Sequence, residues 1–433
     1  MFQTREEVID WINYRSKAGM KLGLERIEYI LERLGNPERR FRSVHIGGTN
    51  GKGSTTSIFR EILQEAGFTT GTFTSPYFEK FEDRICINGK PIPSDDLVKV
   101  ANRIKPIVDE LKSHPFGEPT PFEILTAICF FYFGEVKHVD IALIEVGLGG
   151  RHDSTNVLQP LLTIITNVGY DHLNVLGTTL QEIAFEKAGI IKEQTPLITA
   201  VDQPEAIAIL QKVCATKNAP LYEAGKDFSF TDLGPVEDGE LFSFTSSFQN
   251  FERLKVSLLG THQLKNATLS VMAALLLKEM YSFSIKDEAI ITGLAKAYWP
   301  GRFEILSKDP FILIDGAHNK DGLESFKATL SRHYPDRKGT ILFSALRDKQ
   351  LEEIIPILDS LPHTVVFTEF DFPRVEKASN LFARSQKDNK ELAPDWQRYL
   401  EEKIPRLENG DMFIATGSLY FISLVKPFLR KLL

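Results

Sequence analysis

The sequence predicts an α/β protein: a mostly parallel sheet covered by helices, followed by a second, smaller α/β domain. Three observations predict it. Short apolar, β-rich runs recur at residues 42–46, 68–74, 139–146, 161–168 and 196–201, with helical patterns between several of them, the alternation that a parallel sheet requires. A glycine-rich run at residues 47–54 separates the first strand from a helix. A second series of strand-like runs begins only after Tyr298-Trp299-Pro300-Gly301, where rigid and flexible residues break the pattern side by side.

The elements follow in order. Residues 1–15 read as an amphipathic helix, because Thr4 and Glu7 have capping-box spacing. The helix at 54–66 carries Ile58, Phe59, Ile62, Leu63 and Ala66 at helical spacing, and Gly67 stops it. The most apolar stretch, 124–133, lies between Glu123 and Glu135 and is half the ~20 residues of a membrane span, so a buried helix is expected. Residues 225–259 alternate Phe228, Phe230, Phe242, Phe244 and Phe248 with polar residues around Gly234, Pro235 and Gly239, which predicts a small antiparallel element. A long helix at 264–280 follows. The domain boundary is placed at 298, giving domains 1–297 and 298–433. In the second, strands at 311–314, 340–343, 364–368 and 412–415 alternate with helices near 321–333 and 349–361, a three-layer, Rossmann-like unit. Residues 387–391 read as a solvated loop.

Composition sets outer limits. A chain of 433 residues exceeds what one core serves, and a net charge of -7 with a pI near 5.8 offers no basic face for nucleic acid. The cysteines Cys86, Cys129 and Cys214 lack paired spacing and point to a reducing compartment. No secretory or membrane segment is evident, so a cytoplasmic protein with no membrane partner is expected; a monomer is the expected state.

The run Gly47-Gly48-Thr49-Asn50-Gly51-Lys52-Gly53-Ser54 has the chemistry of a P-loop. Glycines let backbone N–H groups turn inward, and those amides, the positive end of a helix and the Lys52 ammonium converge on one anionic pocket. It departs from the strict Walker pattern, because Ile46 stands where the first glycine belongs and the hydroxyl is delayed to Ser54. A plain turn with one solvated lysine would not need four glycines and the hydroxyls that follow.

Each later strand of the first sheet also ends in polar residues: Thr74-Ser75-Pro76, Glu145 before Gly147, Gly149, Gly150, Arg151 and Asp153, and Thr166-Asn167 before Asp171-His172. Ligands bind at the carboxyl ends of such strands. A hydroxyl, a carboxylate and an imidazole there suit a Mg²⁺ ion that also touches phosphate. Taken singly, each has a bland alternative: a turn at Ser75, a core histidine at His172, a Glu145–Arg151 bridge. Their common position favours a site. Lys187, among Phe185, Ala188, Ile190 and Ile191, either snorkels to solvent or approaches that pocket as a neutral amine open to carbamylation by CO₂.

Together these residues resemble the folylpolyglutamate synthases, often bifunctional as dihydrofolate synthases, of the Mur-type amide ligase superfamily. The marks run nearly end to end: Gly23-Leu24-Glu25-Arg26, the 48–54 loop, Thr74-Ser75-Pro76, Glu145-Val146-Gly147-Leu148-Gly149-Gly150-Arg151, Asp171-His172, Glu186-Lys187-Ala188-Gly189, His262-Gln263 with Asn266, Trp299-Pro300-Gly301-Arg302 with Glu304, Asp315-Gly316-Ala317-His318-Asn319 and Gly417-Ser418-Leu419-Tyr420. The resemblance implies that Gly48, Thr49, Asn50, Gly51, Lys52, Gly53 and Ser54 hold ATP phosphates. It implies that Ser75, Glu145 and His172 bind Mg²⁺, with a monovalent cation admissible, and that Lys187 is carbamylated. Asn266, Arg302 and Asp315 would hold the nucleotide across a domain cleft, and His318 and Ser418 would place L-glutamate. Arg84 and Asp153 would face the folate or dihydropteroate. Tyr77-Phe78 and Asp83 depart from the family's common residues, in the loop expected to shape the pterin site.

The reaction so implied turns a carboxylate into an acyl phosphate with ATP, which the glutamate amine then opens. Within the class, the alternative is a muramyl ligase acting on a UDP-sugar peptide, against which Asp315-Gly316-Ala317-His318-Asn319 and Gly23-Leu24-Glu25-Arg26 weigh. From another class, a non-ligating nucleotide switch would need a guanine-reading Asn-Lys-x-Asp element. Asn319-Lys320-Asp321-Gly322 has its acid one place early.

Overall fold

The computed structural model describes residues 1–15, 22–408 and 410–433. The strands of the first sheet are β1 (Ser43–Gly47), β2 (Thr70–Phe73), β3 (Ile85–Ile87), β4 (Lys90–Pro91), β5 (Ile141–Glu145), β6 (Leu162–Ile165), β7 (Leu197–Thr199) and β8 (Leu221–Glu223). They lie in the order β4-β3-β2-β5-β1-β6-β7-β8. All neighbours are parallel except β2–β3 and β3–β4. The short antiparallel edge escapes a reading based on apolar runs, because Lys90 and Pro91 are exposed and only pairing makes them a strand.

The order places β1 at a switch point. The chain leaves β1 toward β2 on one side, and later leaves β5 for β6 on the other. Loops that part in opposite directions open a crevice at the carboxyl ends. Register aligns those ends: Ile46 pairs with Glu145, Gly47 with Ile165, and Phe73 with Ile144.

The helix after β1 spans Lys52–Glu65, two residues earlier than its apolar stripe suggested, and buries Ile58, Phe59, Ile62 and Leu63. Thr120 and Glu123 form a capping box on the helix Pro121–Phe131, whose apolar run continues into a π-helical turn at Tyr132–Val136. Thr4 caps the first helix, Arg5–Asn13. No helix among the described residues is long and apolar enough to cross a membrane.

A three-stranded antiparallel element follows: β9 (Phe228–Val236), β10 (Gly239–Ser246) and β11 (Phe251–Val256). Phe228, Phe242 and Phe244 are buried in it, whereas Phe248 faces solvent.

The third sheet is built from β12 (Glu304–Lys308), β13 (Phe311–Asp315), β14 (Gly339–Phe343), β15 (Thr364–Glu369), β16 (Lys390–Asp395) and β17 (Met412–Thr416), in the order β12-β13-β17-β14-β15-β16. Only β12 runs antiparallel. Lys390 and Glu391, expected in a solvated loop, begin the edge strand β16. Its residues are half or fully exposed and include Pro394, so its sequence carries no apolar signature.

The chain forms two compact units. One comprises Met1–Thr231, Phe242–Lys255 and Leu264–Ala297, the other Asp232–Leu241, Val256–Gln263 and Tyr298–Leu433. The second therefore includes two segments that a single boundary at 298 leaves with the first. Within it Glu240, wholly buried, accepts from the Gly260 N–H at 2.7 Å and pairs with Arg332 at 2.9 Å and His333 at 2.7 Å.

Candidate active site

In the first unit the glycine-rich loop is bent at two glycines whose positive φ and close neighbours disfavour any side chain. Gly48 has φ 143°, and a Cβ there would lie 1.9 Å from Thr166 Oγ1; Gly51 has φ 84°, and a Cβ there would lie 2.4 Å from Asn266 Oδ1. Gly51 is the N-cap of the helix Lys52–Glu65, which has no side-chain cap. No side chain caps this positive helix end, the kind of terminus that favours an anion. Lys52 Nζ folds back over the loop, donating to the carbonyls of Gly48 at 3.0 Å and Thr49 at 3.2 Å. Asn266 reaches the same turn, where Thr55 Oγ1 donates to its Oδ1 at 3.4 Å.

Beside the loop, β2 and β5 bring Ser75 and Glu145 together: the Ser75 N–H donates to Glu145 Oε2 at 3.3 Å. Glu145 ends β5 and is buried. His172 stands on the loop after β6, in the left-handed region at φ 52°, with Nε2 3.9 Å from Asp171 Oδ1 and a half-exposed ring. Among the described residues no three His, Cys, Asp or Glu side chains gather in a metal-holding group. Ser75 and Glu145 are brought together, and His172 is placed on the next loop along this edge.

Lys187 lies near the end of the helix Leu180–Ala188 and is 2 % exposed. Burial, reinforced by the positive charge of Lys52 and partly offset by Asp171, pulls its ammonium down to about 7. It does not snorkel. The loop 147–151 packs tightly on this helix: a Cβ at Gly150 would meet the Lys187 carbonyl at 2.9 Å. Arg151 pairs with Glu186 at 3.7 Å and lies over the Phe185 ring, so the bridge considered between Glu145 and Arg151 is made by Glu186 instead.

Asp153, expected to face substrate, is turned onto its own loop. Its carboxylate accepts from the N–H groups of Leu148 at 2.8 Å and Thr155 at 3.0 Å and from the Thr155 hydroxyl. Burial raises its pKa while these donors oppose the rise. The short polar side chain at the mouth of the turn satisfies amides that would otherwise be orphaned. Arg84 closes the 3₁₀ turn Phe81–Arg84 and stacks over Tyr77 at 5.0 Å, while Asp83 caps that turn by accepting from the Lys80 N–H at 2.8 Å.

The second unit has its own polar edge. Asp315 ends β13 in register with Thr416. Its oxygens accept from the N–H groups of Phe303 and Ala317, both at 2.8 Å. Burial raises its pKa, and Arg302 opposes the shift. Gly316 donates to the Gly301 carbonyl at 2.8 Å, joining the loops of Arg302 and His318. His318 Nδ1 is 2.8 Å from the Gly316 carbonyl. Ser418 is buried at the start of the helix Leu419–Leu432.

This arrangement has relatives. Residues 46–274 match the Mur ligase middle domain, and residues 301–419 match the Mur ligase glutamate ligase domain. A Bacillus subtilis protein named dihydrofolate synthase/folylpolyglutamate synthase is 42% identical over 430 residues, covering 99% of this chain and 100% of its own. The chain belongs to the dihydrofolate synthase/folylpolyglutamate synthase family. The folylpolyglutamate synthase of Thermotoga maritima matches in structure with a TM-score of 0.86 at 34% identity, covering 98% of this chain and 96% of that one. The Mycobacterium tuberculosis folylpolyglutamate synthase, solved with ADP and AMPPCP, matches with a TM-score of 0.88 at 26% identity over 98% and 97% of the two chains.

In this family member, two residues outside the expected set also meet the glycine-rich loop. Thr166 and Asn167 follow β6 and touch the glycine-rich loop directly, with Thr166 Oγ1 donating to the Asn50 carbonyl at 2.6 Å. Their signal was their position at a strand end beside β1. Arg26 and Glu123, both buried, pair at 2.9 Å and tie the Gly23-Leu24-Glu25-Arg26 turn to the helix Pro121–Phe131.

Proposed function

We propose that the protein is an ATP-dependent ligase that adds L-glutamate to reduced folates through an acyl phosphate, and that it also converts dihydropteroate to dihydrofolate. The observation that carries this reading is the meeting, at one edge of the first sheet, of an uncapped helix start with Lys52, the Ser75–Glu145 pair and the buried Lys187.

A folate carboxylate is inert to amines because oxide is a poor leaving group. ATP supplies the remedy: the carboxylate oxygen attacks the γ-phosphorus, ADP departs, and the acyl phosphate carries a good leaving group. Lys52 and the first amides of the helix Lys52–Glu65 would hold the phosphates as negative charge shifts to the β-oxygens. The glutamate amine, as a free base, then attacks the acyl carbon, phosphate leaves, and the amine's proton passes to solvent. His318 and Ser418 would place the glutamate; Asn266, Arg302 and Asp315 would hold the nucleotide.

A divalent cation fits the first edge, because the buried Glu145 carboxylate and the neighbouring Ser75 hydroxyl are the oxygen donors a hard ion prefers. His172 would complete the set with phosphate and water. When bound, Mg²⁺ would neutralise phosphate charge during transfer. The fall of Lys187 to about 7 leaves much of it as neutral amine at physiological pH, the form that takes up CO₂; the resulting carbamate would be an anion beside the cation. Buried cysteines without disulfides suit a cytoplasmic enzyme.

Purified protein given ATP, Mg²⁺ and glutamate with either tetrahydrofolate or dihydropteroate tests this. Mass spectrometry should find each acceptor heavier by one glutamyl residue, with one ADP released per bond. No adduct with tetrahydrofolate would defeat the reading, and an adduct with tetrahydrofolate alone would remove the second activity.

A further inference from the structure

We propose that Asn167 is a positioning residue for the nucleotide: its side-chain carbonyl clamps the first half of the phosphate loop and so decides which amides remain to meet phosphate. Asn167 Oδ1 accepts two successive loop amides, Asn50 N–H at 2.8 Å and Thr49 N–H at 3.1 Å, and the Asn167 backbone carbonyl also accepts the latter at 3.2 Å. The clamp is closed from both sides. Thr166 Oγ1 donates to the Asn50 carbonyl at 2.6 Å, while Thr49 Oγ1 donates to the Gly169 carbonyl at 3.1 Å and accepts the Gly169 N–H at 3.0 Å. Residues 49 and 50 are therefore fastened to the segment that follows β6.

Two consequences follow. The Thr49 and Asn50 amides face the segment after β6, so these two do not turn toward phosphate, and the anion-facing part of the run is narrower than its full length suggests. The residue type matters as well. A carboxamide accepts two N–H groups while staying neutral, so it holds the loop without facing a triphosphate with negative charge. The same short segment leads on to Asp171 and His172, which makes the loop's shape depend on the strand that carries them.

The inference rests on the reading that ATP phosphates lie on this loop, and the experiment separates the two. Hydrogen exchange of the nucleotide-free protein is followed at residues 49 and 50, and ATP steady-state kinetics and binding of a non-hydrolysable ATP analogue are measured for Lys52→Ala, Asn167→Ala and Asn167→Asp. In Asn167→Ala the Asn50 amide loses its acceptor, so its exchange should accelerate and KM for ATP should rise, each about tenfold, with KM for glutamate and the melting temperature near parental. In Asn167→Asp exchange should stay slow while ATP binding weakens, and the weakening should shrink as added salt screens the new repulsion. Parental exchange or parental KM for ATP in the alanine variant overturns the inference. If that variant does not fold, fast exchange in the aspartate variant does so instead. Parental analogue binding by Lys52→Ala overturns the loop reading itself, whereas its loss beside an unchanged Asn167→Ala removes only the clamp.

Discussion

Lys52 and Lys187 divide the electrostatic task between them. Lys52 lies over the loop carbonyls, and its positive charge adds to burial in holding Lys187 down at about 7. Replacing Lys52 with alanine removes the charge proposed to face phosphate and no core packing, so kcat should fall by about 10²–10³-fold while the melting temperature stays close to parental; steady-state kinetics and calorimetry check both halves. Lys187 has a pH signature with a definite sign. Below about 7 it is an ammonium and cannot take up CO₂; above that it is neutral and can. Activity in bicarbonate-poor buffer should therefore rise with pH through about 7, and added bicarbonate should help more on the alkaline side. In the unfolded chain its pKa returns to 10.5, so between the two values the unfolded state binds the extra proton and stability rises with pH. Lys187→Met should then remove activity and yet raise the melting temperature at neutral pH, an outcome that a purely structural lysine would not give. Partial rescue of Lys187→Ala by acetate would identify the missing group as a carboxylate.

Strand ends, rather than strand interiors, carry the chemistry proposed for this chain, and their places in the fold were legible in the sequence. The parallel strands announce themselves as apolar runs, and the polar residues that interrupt each run stand where a parallel sheet places ligands: Gly47, Ser75, Glu145 and Thr166. The strands that escaped reading are β3, β4, β8, β12 and β16, edge strands or the partner of one, too short or too polar to stand out as an apolar run. Asp153 was legible as a polar residue of the right loop, but its partners, the amides of Leu148 and Thr155, depend on a fold of the turn that spacing does not encode. The turn after β1 gives a sharp expectation. Gly51→Ala places a methyl group 2.4 Å from Asn266 Oδ1 at a φ of 84°, so nucleotide binding should be lost, with destabilisation of about 1–3 kcal/mol in denaturant titrations. In the second unit Lys426, 2% exposed in the last helix, pairs with Glu304 at 2.8 Å, and Glu304 in turn accepts the Gly301 N–H at 2.8 Å. Removing the lysine alone, as Lys426→Met, leaves a buried carboxylate without its cation and should cost about 3–5 kcal/mol.

The two units of the chain are not two consecutive pieces of it. Asp232–Leu241 and Val256–Gln263 belong with the C-terminal unit although they precede residue 298, and no composition shift marks them in the sequence. Glu240 shows what they contribute, since its buried carboxylate binds both Arg332 and His333. A fragment beginning at Tyr298 lacks that carboxylate. It should be less soluble and less cooperative on heating than the same unit within the full chain, as circular dichroism melts would reveal. The chemistry proposed for the full chain has one step that no binding or hydrolysis assay isolates, the transfer of a carboxylate oxygen to phosphorus. Tetrahydrofolate carrying heavy oxygen in its terminal carboxylate, turned over with ATP and glutamate, decides it by mass spectrometry of the phosphate released. The acyl phosphate route puts one labelled oxygen into each phosphate formed; phosphate free of label, with amide still produced, would contradict it.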